Sequence, residues 1–153
     1  MPSPNELLAR FRAHFDVWVG DSYNDAFVSR FYDNFFAQSH EIAERFAATN
    51  MSMQKTMLHD SLHDLRDFTT DETARRNLQG VAAQHDQAHA NIPPRLYDLW
   101  LDSLIATLKD FDPDFDQLTE RAWREALAPG IALMKGAYKN NGCGVTKMGG
   151  AES

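Results

Sequence analysis

The chain has 153 residues, enough for one domain with a sizeable core, and at 43% hydrophobic and 24% charged it has the composition of a soluble globule, not of a disordered or fibrous chain. A net charge of −7 excludes the basic face that nucleic acid or anionic lipid requires, so neither partner is expected. Cys143 stands alone and allows no internal disulfide; with no basic-then-apolar leader and no apolar run of membrane length, a cytoplasmic location is expected.

Helical spacing dominates, and period-two alternation between turn residues is missing, so the expected fold class is all-α. A first helix after Pro4 carries Leu7, Leu8, Phe11, Phe15 and Trp18 and is interrupted at Gly20-Asp21-Ser22. A second runs through Ala26, Phe27, Phe31, Phe35 and Phe36. Ser39 caps a short turn holding Ile42 and Phe46. Thr49 or Asn50 caps a longer helix through Met53, Met57, Leu58, Leu62, Leu65 and Phe68, broken at Thr69-Thr70-Asp71-Glu72. A segment with Leu78, Val81, Ala82 and His85 follows and stops at Asn91-Ile92-Pro93-Pro94, where proline removes a donor and restricts its predecessor. A long helix then carries Leu96, Leu99, Trp100, Leu104 and Leu108 as far as the Asp112-Pro113-Asp114 turn. The last holds Leu118, Trp123, Leu127, Ile131, Leu133, Met134 and Tyr138, with Pro129 expected to kink or divide it. Residues 140–153 read as a flexible Gly-rich C-terminal tail.

Two positions stand out chemically. At about 100° per residue, Gln54, Leu58, Ser61 and Leu65 share one helix face, with His59 and His63 roughly opposite. Gln54 is either a solvated first-turn residue or a donor aimed into an apolar pocket. His85 closes an apolar stripe near a helix end, where free carbonyls can hold one ring nitrogen and leave the other for a metal. A satisfied core histidine is the commoner role for such a residue, and His89, one turn on, competes for it. The pairs His59/His63 and His85/His89 also read as halves of a two-histidine zinc site, but no HExxH pattern completes them, and Asp60, Asp64 and Asp86 read as ordinary surface charges.

The stretches FYDNFFAQSHEIAERFAATNMSMQKTML and VAAQHDQAHANIPPRLYDLWLDSL, followed by AWREAL, resemble bacterial single-domain haem globins and the globin domain of flavohaemoglobins. The resemblance implies a single globin domain over 4–139, of about six to eight helices around a haem pocket. It implies haem b (iron protoporphyrin IX) with His85 as the iron ligand and Phe46 and Tyr97 beside the cofactor. Tyr32, Gln54, Leu58 and Trp100 are implied to line the distal ligand site. The implied function is reversible binding of O2, NO and CO, for O2 binding or sensing or for NO detoxification. NO dioxygenase activity would draw on a separate reductase, and a homodimer stays open. The alternative is a haem-free globin-fold interaction or stress-regulatory module.

Three departures bear on this. Flavohaemoglobins carry a Glu on the last helix against the proximal His, whereas Tyr138 and its neighbours offer none. Gln84 stands where that family has Lys, and no reductase domain accompanies the globin stretch. A peroxidase role is thereby disfavoured. Trp100 stands where many relatives have a smaller aliphatic residue, and reads equally as core packing.

Overall fold

The computed structural model describes residues 2–139, and there the chain is all-helical. Its helices are α1 (Pro4–Trp18), α2 (Asp25–Gln38), α3 (His40–Arg45), α4 (Met51–Asp67), α5 (Glu72–His85), α6 (Arg95–Phe111) and α7 (Gln117–Gly136). The expected tail and Cys143 lie outside the described residues. Among the described residues no helix is long and apolar enough to cross a membrane.

Local chemistry sets the helix starts. Ser3 caps α1 in a reciprocal box: its side chain accepts from Glu6 N, and Glu6 accepts from Ser3 N. Asn24, Ser39 and Asp71 cap α2, α3 and α5 by accepting first-turn amides. Asn50 does the same for α4 through Met53 N. α7 runs through Pro129 without dividing, so a long helix absorbs the one missing bond.

Two compact units divide the chain, Met1–Leu62 with Leu99–Ala126, and His63–Asp98 with Leu127–Ser153. The first is built on aromatic rings. Trp123 is fully buried, meets Phe11 edge-on at 4.9 Å and stacks on Phe15 at 5.8 Å. Its indole N–H donates to His14 Nδ1 at 3.0 Å, which leaves the His14 proton on Nε2 for Asp112 at 2.7 Å. A polar ladder joins α2 to α6, with Asn34 donating to Thr107 and Gln38 to Ser103. The second unit buries Leu65, Leu78, Ala82, Leu96, Leu127, Ile131 and Met134.

At Gly130 a Cβ would stand 2.5 Å from Leu65 Cδ2 and 3.0 Å from Leu78 Cδ2, so this glycine is what lets α7 approach those side chains. Overpacking costs about 1–3 kcal/mol, and alanine returns about 1 kcal/mol of helix propensity. Gly130→Ala should therefore lower stability by a net ~1 kcal/mol. A thermal melt checks this, and a raised Tm would mean that Leu65 repacks without strain.

The structure corrects four sequence expectations. Met53 and Met57, counted as apolar periodic positions, are 63% and 49% exposed, because the buried stripe of α4 is Leu58, Leu62 and Leu65. Met53 lies about 180° round the helix from Leu62. Leu8 is likewise exposed. His59, expected away from the apolar face, is buried and hydrogen-bonded through Nε2 to the Asp21 carbonyl. Tyr138 lies in the turn after α7, not on the helix. Asp86, read as a surface charge, is 1% exposed.

Candidate functional site

Five of the sequence-predicted residues fall in the first unit: Tyr32 on α2, Phe46 at the C-cap of α3, Gln54 and Leu58 on α4, and Trp100 on α6. His85 and Tyr97 fall in the second.

In the first, Tyr32 is buried at the centre of a cluster of rings. Phe31 lies 5.1 Å away edge-on, Phe36 at 5.6 Å and Phe46 at 5.8 Å. Phe46 also meets Phe35 and Phe36, so the corner after α3 is held by aromatic contacts. Trp100 joins at one remove, edge-on to Phe31 at 5.7 Å, and is half-buried. Leu58 is buried, one turn beyond Gln54.

The polar chemistry here is one hydrogen bond, from Gln54 Nε2 to the Tyr32 hydroxyl oxygen at 3.1 Å. Gln54 is therefore neither free in solvent nor a first-turn cap. Because the Tyr32 oxygen accepts from Gln54, its own O–H remains available to a further acceptor. Burial pushes the Tyr32 pKa up to about 12, against a smaller lowering by Gln54, so the phenol stays protonated at neutral pH.

In the second unit His85 is the last residue of α5, half-buried, with Nδ1 2.7 Å from the Val81 carbonyl oxygen. A carbonyl only accepts, so the proton sits on Nδ1 and Nε2 presents a lone pair. Burial lowers the His85 pKa, with the Val81 bond opposing, and so favours the neutral imidazole. Tyr97, on the first turn of α6, is buried, and that burial raises its pKa. His85 and His89 do not share a helix face, because α5 ends at His85 and His89 lies in the following turn. Among the described residues no group of three or more His, Cys, Asp or Glu is placed to hold a metal ion.

The turn after His85 contains residues that sequence reasoning missed. Asp86 Oδ1 accepts from the amides of Ala88 and His89, each at 3.0 Å, and from His89 Nδ1 at 2.7 Å. Asn91 has a φ of +55°, a left-handed conformation that Asn tolerates, and its Oδ1 accepts from Tyr138 O–H at 2.6 Å. The Tyr138 carbonyl accepts from Gln87 N at 2.8 Å. A signal was present: an Asp followed by small residues just before Asn-Ile-Pro-Pro is turn chemistry.

No protein-family model matches the chain, and no curated protein does. Among solved structures the chain is similar to a Pseudomonas aeruginosa protein described as structurally highly homologous to a human haemoglobin. The two are 32% identical, the match covers 86% of this chain and 98% of that one, and the TM-score is 0.74. With that identity over nearly the whole of the relative, and with seven helices among the described residues, the chain belongs to the globin family.

Proposed function

We propose that the chain is a haem-binding globin that takes up O2, NO and CO reversibly, with haem b held by His85 and flanked by Phe46 and Tyr97. The carrying observation is the His85 tautomer. A half-buried, neutral imidazole anchored through Nδ1 to the Val81 carbonyl offers Nε2, which is the ligand atom that haem iron takes. The residues present thus fit the group that the family implies. Haem, held there by His85, would supply the iron chemistry that takes up a diatomic ligand.

The chain's own residues then discriminate among ligands. The Tyr32 hydroxyl, polarised by the Gln54 amide, presents its proton to a ligand atom carrying partial negative charge. O2, which takes negative charge when bound, gains more from such a donor than CO does. Phe46, Leu58 and Trp100 contribute apolar surface that keeps competing water away from the donor. Such a donor serves O2 binding or sensing, and equally NO detoxification with a separate reductase supplying electrons.

The experiment is direct. The haem-loaded, reduced protein should show a distinct spectrum on exposure to air, and should return to the starting spectrum when O2 is removed. A spectrum indifferent to O2, with protein that takes up no haem, would favour the haem-free module instead.

The lowered His85 pKa sets a pH dependence. As pH falls below about 6.5 the unfolded chain binds this proton before the native one does, so native stability falls from there downward and is unaffected above. Denaturant midpoints of wild type and His85→Leu, compared from pH 7.5 to about 5, should diverge only in the acid half. Parallel curves would mean that burial does not disfavour the imidazolium.

Trp100→Val enlarges whatever space the indole occupies. If Trp100 narrows the route to the ligand site, association of O2 and CO should both quicken. If it serves only as Phe31's partner, rebinding stays unchanged while stability falls by up to about 3–5 kcal/mol. Flash photolysis beside a thermal melt separates the two.

A further inference from the structure

We infer that Asp86 is a positioning residue for His85: its buried carboxylate folds the turn after α5 into a closed clamp that fixes the histidine from its C-terminal side. This deepens the haem reading above and rests on it.

Every backbone amide from Gln87 to Ile92 is accounted for in this turn. Ala88 N and His89 N go to Asp86 Oδ1. His89 N and Asn91 N also reach the Asp86 carbonyl, at 3.1 and 2.8 Å. Ala90 N goes to Gln84 O, Ile92 N to His85 O, and Gln87 N to Tyr138 O. Asp86 is thus the acceptor for three of the turn's residues, at two different oxygens, and its side chain is 0% exposed. The His89 ring, 56% exposed, closes over it with the 2.7 Å bond from Nδ1.

His85 is the residue that this arrangement holds. A helix's last residue ordinarily frays, because no following amide donates to its carbonyl. Here the His85 carbonyl accepts from Ile92 N at 3.0 Å, while its ring is tied back to Val81. One tether thus fixes the backbone from the turn side and the other fixes the ring from the helix side. Charge-assisted bonds to a buried carboxylate are the stronger sort, so Asp86 is what keeps the turn from opening. Removing its side chain leaves Ala88 N without its acceptor and His89 N with the Asp86 carbonyl alone, which loosens the turn that brings Ile92 N to the His85 carbonyl. The ring then samples orientations that the Val81 bond alone does not select.

The test compares haem-loaded wild type, Asp86→Ala and Asp86→Asn. Asn keeps an acceptor oxygen for the amides of Ala88 and His89, so it should restore most of the wild-type behaviour. The iron–histidine stretching line of the reduced protein reads ring orientation, which a merely structural residue would leave in place. It should shift and broaden in Asp86→Ala and return towards wild type in Asp86→Asn. Haem loss to an acceptor globin should quicken about 10–100-fold in Asp86→Ala, the usual effect of removing a group that orients a metal ligand. A wild-type line and wild-type haem loss in Asp86→Ala would overturn the inference. If Asp86→Ala does not fold, amide exchange in the wild-type protein decides: His89 and Asn91 should be protected as strongly as the interior of α5, and exchange at the rate of an open chain would overturn it. Failure of the haem reading looks different, since wild type itself would then take up no haem. The imidazole nitrogen shifts of His85 still decide in that case, with the Nδ1–H tautomer held in wild type and lost in Asp86→Ala, or else unchanged and the inference wrong.

Discussion

His85→Gly should lose haem retention, and added imidazole should restore it. Removing the side chain takes away the one neutral imidazole whose Nδ1 is already committed to a carbonyl and whose Nε2 is free. Free imidazole can enter the vacated space and supply the same bond without the tether, so retention should recover in proportion to its concentration. His89→Ala is the control. His89 Nδ1 is bound to Asp86 and its ring is largely exposed, so its loss should leave the spectrum close to wild type. Normal haem uptake by His85→Gly, with loss in His89→Ala, would reverse the assignment.

Tyr32→Phe should speed O2 dissociation about tenfold, from loss of one hydrogen bond of ~1–1.5 kcal/mol, while CO dissociation changes much less. The structure adds a refinement that sequence matching alone does not supply. Gln54 donates to Tyr32, so it acts on the ligand through the phenol. Gln54→Leu should therefore have a smaller effect than Tyr32→Phe, and the double variant should be little worse than Tyr32→Phe alone. Additive effects would mean that both side chains reach the ligand independently. Equal changes for O2 and CO would mean that Tyr32 acts by shape.

The helices were legible because their signals are local. Ser39 and Asn50 cap where their side chains can reach the first-turn amides, and Pro93-Pro94 stops the chain before α6 begins at Arg95. The Gln54/Leu58 spacing places both on the same stretch of α4, and His85 closes α5. What was not legible depends on partners distant in sequence. Gln54 reaches Tyr32 across 22 residues. His59 is buried because the chain before α2 brings the Asp21 carbonyl and the Tyr23 ring against it. Asp86 reads as a surface charge because a carboxylate on the polar side of a short segment usually is one. Only the folded turn shows the carboxylate buried and accepting from the amides of Ala88 and His89. Met53 and Met57 have the right period and the wrong phase, which hydrophobicity alone does not resolve. The comparison with a solved relative supports the globin family and not the narrower flavohaemoglobin likeness, to which Tyr138 is relevant. It bonds to Asn91 and Gln87 in the turn after His85 and brings no carboxylate there.

The most direct measurement of the central claim is a titration of the purified chain with haemin, followed by absorption. A sharp Soret band that grows to one equivalent and then stops, in wild type but not in His85→Gly, is the result expected here. A broad, unsaturating band like that of haemin with a non-specific protein, the same in both, would contradict it.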